Sequence, residues 1–163
     1  MSVSIEAFKA TLGGFPSGVT VVTAWDQAGV LKGMTASAFC SVSLDPPLVL
    51  VCPSKHADCY AALTEAHIFS IHILGGDQSG LAWQFSKSGG EKTLGIDVTQ
   101  GPEGAPRLPG AFAYLVCRPY ALYNGGDHGI LVGEVIYVEP PEATQSPLVY
   151  CRGQLGALPS LRD

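Results

Sequence analysis

Between Gly33 and Ser54 the chain reads GMTASAFCSVSLDPPLVLVCPS, and no other stretch restricts the fold as much. It opens on four small residues, Thr35-Ala36-Ser37-Ala38, and alternates through Phe39, Cys40, Ser41, Val42 and Ser43. A Leu-Asp-Pro-Pro turn and the apolar run Leu48 to Val51 follow. The two prolines interrupt strand pairing and turn the chain. The run beyond them suits a buried strand. Taken alone, the order of strand, small-residue ledge, turn and buried strand describes ordinary barrel or sandwich core. It also describes a surface on which a flat ligand lies close to the backbone, because undersized side chains leave N–H and C=O groups within reach of ring heteroatoms.

The flanking chain supplies short strands with a few helices between them. Ile5, Phe8 and Leu12 have helical spacing, with Ser4 as cap and Gly13-Gly14 as terminator. Val19 to Ala24 is rich in β-branched residues and reads as a strand. Asp26 to Gly29 is a hairpin loop returning through Val30 to Thr35. A helix is expected near Ala57 to Thr64, and a strand from Ile68 to Ile73. Asp77 is placed to cap a helix carrying Leu81 and Phe85 on one face. From Lys87 to Gly110 the pattern fails, and this segment reads as a lid or a dimer arm. Ala111 to Tyr123 and His128 to Val138 form two strands about the Asn124-Gly125-Gly126-Asp127 turn, with Pro119 marking an edge or bulge. Leu148 to Tyr150 is a last short strand, and Gly153 opens the tail. No regular βαβ alternation is present, which disfavours a parallel doubly wound sheet. The expected fold is mainly β, an antiparallel Greek-key barrel with peripheral helices, as one domain over residues 1–163.

Composition removes several function classes. A formal net charge of -5 argues against a nucleic-acid partner. No apolar run approaches the roughly 20 residues of a bilayer span, and no opening segment has signal-peptide order, so a cytoplasmic chain without a membrane partner is expected. The 5 cysteines are scattered and odd in number, which disfavours a disulfide framework. Cys52, His56 and Cys59 have ligand chemistry but no evident fourth partner, so no metal site is expected. His67 and His72 read as strand-end residues. Neither a Gly-x-Ser-x-Gly elbow nor a Gly-x-Gly-x-x-Gly turn is present, which removes a hydrolase triad and a Rossmann-type nicotinamide site.

Six pieces, in order, carry a more specific reading. They are Phe15 to Thr23 (FPSGVTVVT), Gly33 to Phe39 (GMTASAF), Ser41 to Leu48 (SVSLDPPL), Gly126-Asp127-His128, Gly133-Glu134-Val135 and Pro147 to Tyr150 (PLVY). In this combination the chain resembles the flavin reductase-like family, from about Ile5 to Leu158. The resemblance implies an FMN-binding split β-barrel, usually a homodimer. Its implied activity is transfer of hydride from NADH or NADPH to FMN or FAD, often to supply a separate monooxygenase.

The same resemblance places roles on residues. Thr35, Ala36, Ser37 and Ala38 would face the isoalloxazine edge through their backbone. Ser41 and Ser43, two apart on a strand and so on one face, would meet the ribityl hydroxyls or else face solvent. Cys52, Pro53, Ser54 and Lys55 precede a helix whose free N–H groups attract a phosphate. Cys59 stands where relatives often carry a hydroxyl, and is a poorer donor. Phe85, Ser86 and Lys87 match a segment near the flavin, with plain core as the alternative for Phe85. His128 would lie by the nicotinamide, orienting its carboxamide or assisting a proton, with Asp127 shaping the turn. Tyr150 and Arg152 would border the nicotinamide pocket, Arg152 toward a pyridine-nucleotide phosphate. Two other functions remain open: a split-barrel flavoprotein that keeps its FMN and acts directly on an organic substrate, and a non-enzymatic flavin- or heme-binding module.

Overall fold

The structure, a computed structural model, describes residues 3–89, 91–142 and 144–159. Twelve strands and three α-helices follow one another as α1 (Ile5–Gly13), β1 (Ser17–Gly18), β2 (Thr20–Trp25), β3 (Leu31–Ala36), β4 (Phe39–Leu44), β5 (Pro47–Val51), α2 (Tyr60–Glu65), β6 (Phe69–Ile73), α3 (Ser79–Ser86), β7 (Thr99–Gln100), β8 (Pro106–Arg107), β9 (Ala113–Gly125), β10 (His128–Glu139), β11 (Leu148–Cys151) and β12 (Gln154–Ala157). The seven-stranded sheet runs β3-β2-β6-β9-β10-β5-β4, and every pairing in it is antiparallel. This is the antiparallel Greek-key split barrel expected from the sequence.

The unbroken β-branched run of β2 has a direct cause. Val22 and Ala24 point into the barrel, where they meet Val51, Phe69, Ile71 and Leu131. Val19 and Val21 point the other way, into a second core with Leu74, Phe85, Leu108 and Leu148. A strand buried on both faces cannot alternate polar and apolar residues. Each fully buried Phe, Ile or Leu in these clusters contributes about 1.5–3 kcal/mol relative to exposure. The outer core is roofed by α3 and by the small sheet β1-β11-β12. Gly33 admits that roof: a Cβ there would stand 2.8 Å from Thr23 Cγ2 and 3.0 Å from Phe85.

Pro119 sits at a bulge, since Gly133 pairs with Pro119 while Val132 pairs with Ala121. Bulges are among the few places in a sheet where a missing N–H is tolerated. Several other expectations are corrected. The cap of α3 is Gln78, not Asp77, and its side chain makes no capping bond. Instead Gln78 Oε1 accepts the Gly75 N–H at 2.9 Å. The chain past Gly153 is no tail but β12, the return strand of a hairpin.

Segment 87–110 is fastened to the barrel rather than free. It carries the β7–β8 hairpin, buries Ala105 and Leu108, and packs Ile96 and Val98 on the outer core. Its main pin is His72, which is no strand-end residue but fully buried in β6. His72 Nε2 accepts the Leu108 N–H at 3.1 Å and Nδ1 lies 3.2 Å from the Val21 carbonyl. A neutral ring protonated at Nδ1 satisfies both contacts. Burial lowers its pKa to about 4, against a weaker opposing pull from the Val21 carbonyl.

All five cysteines are free. Among the described residues no cluster of three His, Cys, Asp or Glu is arranged to hold a metal, and no helix is long and apolar enough to cross a membrane.

Candidate active site

The two edge strands of the main sheet, β3 and β4, are consecutive in the chain and joined only by Ser37 and Ala38. Consecutive strands usually pair. Here they are carried to opposite edges, and the sheet curls round so that an unzipped seam opens beside the joint. Ser37 and Ala38 are exposed, and among the described residues no backbone carbonyl takes their N–H groups. Of the ledge read from the sequence, Ser37 and Ala38 are exposed with open amides, while Thr35 and Ala36 belong to β3. Thr35 differs: its hydroxyl donates to the Ala82 carbonyl at 2.5 Å and braces α3 against β3. Ala36 is buried inside the barrel.

Register sets what lies next to the ledge. Phe39 pairs with Val51, and Val51 with Leu131, so β4, β5 and β10 share one row. Outward from that row come Ala38 just before β4, Cys52, Pro53 and Ser54 after β5, and Ile130, Gly129 and His128 on β10. Ser54 is bridged to His128, and Pro53 O accepts the Gly129 N–H at 2.9 Å. The Lys55 N–H donates to Asp127 O at 3.0 Å, while its ammonium holds Asn124 Oδ1 at 2.5 Å and Gly126 O at 2.6 Å. Segment 52–55 thus clamps the turn that presents His128. Gly126, at φ 77°, supplies the left-handed residue the turn needs.

His128 Nδ1 lies 2.8 Å from Asp127 Oδ1. Nε2 has no partner among the described residues. The hydrogen bond from His128, with its charge, holds the Asp127 carboxyl below the ordinary carboxylate range. Asp127 therefore does more than shape the turn: it holds one nitrogen of the ring and leaves Nε2 free.

Other expected residues scatter. A bulge at Val42 sets Ser41 against Val49 but Ser43 against Leu48, so the two serines do not share a face. The helix after Lys55 begins only at Tyr60, so its N-terminus is not at Ser54 or Lys55 and attracts no anion there. Cys59 is 1 % exposed within the barrel core, where burial first and Asp58 second push its thiol up to about 11. Burial also raises Cys52, which is half-buried at the end of β5. Phe85 is core. Ser86 and Tyr150 do meet: with Thr35, Ser37, Ala82 and Trp83 they line a cavity of about 210 Å³ at the ledge end of the seam. Val19 and Leu155 complete its floor. Lys87, at the end of α3, is exposed and gives its carbonyl to the Lys92 ammonium. Arg152 stands in the β11–β12 turn at φ 50°, beside Gly153 at φ 78°. Its N–H donates to Gly13 O at 2.7 Å. Sequence reasoning missed Trp83, although a large aromatic two positions before core-facing Phe85 points off the packed face of a helix.

A cleft with open amides, undersized neighbours and two aromatic walls suits a planar heteroaromatic ligand. Residues 12–159 match the family model described as a flavin reductase like domain. The chain belongs to that family.

Among its flavin reductase-like relatives is the NADH-dependent FMN reductase of Agrobacterium fabrum, 41% identical over 93% of this chain and 84% of that protein. The reductase subunit of a flavin-dependent monooxygenase from Rhodococcus jostii is 36% identical over 94% of this chain and 77% of its own length. In structure, the NADH:FAD oxidoreductase of Streptomyces globisporus, solved with NAD and FAD fragments, superposes with a TM-score of 0.90 at 35% identity. That match covers 100% of this chain and 99% of the other.

Proposed function

We propose that this flavin reductase-like chain oxidises NADH and passes the hydride to FMN or FAD. The observation that carries the reading is the seam: free amides at Ser37 and Ala38 stand one strand from the clamp that presents His128. A flavin bound there supplies the redox chemistry. The chain's own residues bind and orient. Amides of the ledge donate to ring oxygens and nitrogens, and the small side chains of Ser37 and Ala38 permit that approach. His128 Nε2, with Asp127 behind the ring, is set to hold the nicotinamide carboxamide or relay a proton. Ser54 and Lys55 border the same rim, where Lys55 acts first by holding the turn. Relatives named for NADH, rather than NADPH, support NADH as the reductant.

The reading extends to a cytoplasmic homodimer that feeds reduced flavin to a separate monooxygenase. Relatives named as reductase components of monooxygenases support the second part. The test is direct. The purified chain is mixed with NADH and either FMN or FAD, and absorbance at the reduced-nicotinamide band is followed. Oxidation that depends on added flavin is expected, and dialysis is expected to remove the flavin. Absence of flavin-dependent oxidation with both flavins sinks the reading; flavin retained through dialysis points to a flavoprotein acting on its own organic substrate.

A further inference from the structure

Trp83 is 52 % exposed, on a helix whose neighbouring residues Ala82 and Phe85 are 1 % exposed each. Placing the largest apolar surface of any side chain in water has a cost that a solvent-facing helix position does not require. The helix that carries the indole is not loosely held. The Trp83 backbone carbonyl accepts the Ser86 hydroxyl at 2.9 Å, and α3 is tied to the ledge by Thr35 Oγ1 on the Ala82 carbonyl. Gln84 Nε2 further ties α3 to the carbonyls of Lys92 and Leu94 at 3.0 Å each. Trp83 therefore stands on a fixed helix and lines the cavity it shares with Ser37 and Tyr150.

The cavity's size narrows its occupant. At about 210 Å³ it is smaller than the roughly 300–1,000 Å³ that encloses a whole drug-sized ligand. It admits one end of a planar ring system and leaves the remainder outside along the seam. Val19, Ala82 and Leu155 give it apolar lining; the Thr35 and Ser86 hydroxyls are spent on the Ala82 and Trp83 carbonyls, which leaves Ser37 with the open ledge amides, and Tyr150, as its polar groups. That division suits a ring with an apolar end and a heteroatom-bearing edge.

We infer that Trp83 is a stacking residue for the flavin ring, the position in this chain that sets how tightly the flavin is held. The inference rests on the proposed flavin reductase reading and names a residue within that site. Trp83 packs against the apolar end of the ring while the ledge amides take its polar edge. An aromatic surface at this position slows flavin release; its removal leaves the amides to bind alone.

The test uses the full-length protein with FMN and FAD in fluorescence titrations and in steady-state NADH oxidation. The chain has 2 tryptophans, and Trp25 is held away from the cavity by its Nε1–H on the Gly104 carbonyl at 3.0 Å. Flavin is expected to quench the wild-type indole emission, and most of that quenching is expected to vanish in Trp83→Phe, which keeps a stacking ring. Trp83→Ala is expected to raise the flavin Kd roughly five- to tenfold, while Trp83→Phe stays within about threefold. The KM for flavin should follow the Kd, with kcat unchanged or raised where release limits turnover. Because Trp83 is solvent-facing, thermal melts of both variants should overlay wild type. An unchanged flavin Kd in Trp83→Ala, with wild-type turnover intact, overturns this inference alone. A wild-type chain that neither binds nor turns over flavin overturns the functional reading with it.

Discussion

His72 and His128 show how two residues of one type are given opposite tasks by their surroundings. His128 stands half-exposed after a tight turn, with one ring nitrogen on Asp127 and the other without a partner among the described residues. His128→Ala is expected to lower kcat for flavin-dependent NADH oxidation by roughly 10- to 100-fold, with the flavin Kd nearly unchanged. Equal rates for variant and wild type in stopped-flow reduction remove His128 from the mechanism. His72 is fully buried and its pKa is lowered to about 4. Unfolded, it titrates near 6.5, so between these values the unfolded chain binds the extra proton. The stability that comes from neutral His72 is whole above pH 6.5 and drains as pH falls toward 4. Urea unfolding at pH 7 and pH 5 should show a loss of about 1–2 kcal/mol in wild type that is absent from His72→Gln. Protonation would also cost the Leu108 N–H its acceptor, so the first local effect is expected in segment 87–110. Hydrogen exchange at Leu108 that stays flat across the window argues against this account. Sequence alone assigned His72 to a strand end, because a lone histidine in an apolar run carries no sign of what packs above it.

At the level of elements, the local pattern told most and the pairings told the rest. The β-branched run of β2, the Asn-Gly-Gly-Asp turn and the small-residue ledge were readable because each is written in adjacent residues. What could not be read depends on partners far along the chain. The bulge at Val42 that separates Ser41 from Ser43 exists only against β5. Segment 87–110 looked unstructured because its anchors, Ala105 and Leu108, are two residues within a polar stretch, buried by elements on either side. The phosphate argument for Ser54 and Lys55 failed since helical spacing in 57–64 cannot show that the first turn forms only at Tyr60. The close approach of the Phe69 ring on β6 to Gly133 on β10 gives a sharp prediction. A Cβ on Gly133 would come within 2.5 Å of Phe69 Cζ and 3.0 Å of Cys117 Cβ, both side chains fully buried. Neither can move without opening the barrel core. Gly133→Ala should destabilise by about 1–3 kcal/mol in urea melts. Gly156→Ala, where a Cβ meets nothing within 4 Å, serves as the control and should differ little from wild type. A Gly133→Ala chain as stable as that control shows that Phe69 has room the packing denies.

For the molecule as a whole, the proposed homodimer can be tested on the outer surface. Helix α1 is 9 residues long and buries none of them. Isolated helices shorter than about 12–15 residues are marginal in water, and most helical stability comes from packing an apolar face. The apolar stripe of α1, Ile5, Phe8 and Leu12, is 54% to 67% exposed. Leu44, at the tip of β4, is 95 % exposed, and Tyr120, Leu122 and Tyr123 lie open on β9. Monomers rarely leave large contiguous apolar patches uncovered. A homodimer that buries α1 accounts for both the helix and the exposed side chains. Sedimentation equilibrium at micromolar concentration is expected to give twice the chain mass of 17.0 kDa. Phe8→Glu with Leu12→Glu should shift the mass toward one chain. It should also lower the far-ultraviolet helical signal, since α1 then has nothing to pack on. If wild type sediments as one chain while α1 stays protected in hydrogen exchange, the helix is stable without a partner and the dimer is unnecessary. If the double variant stays dimeric, the contact lies elsewhere, and the β4 tip with the outer face of β9 is the next surface to substitute.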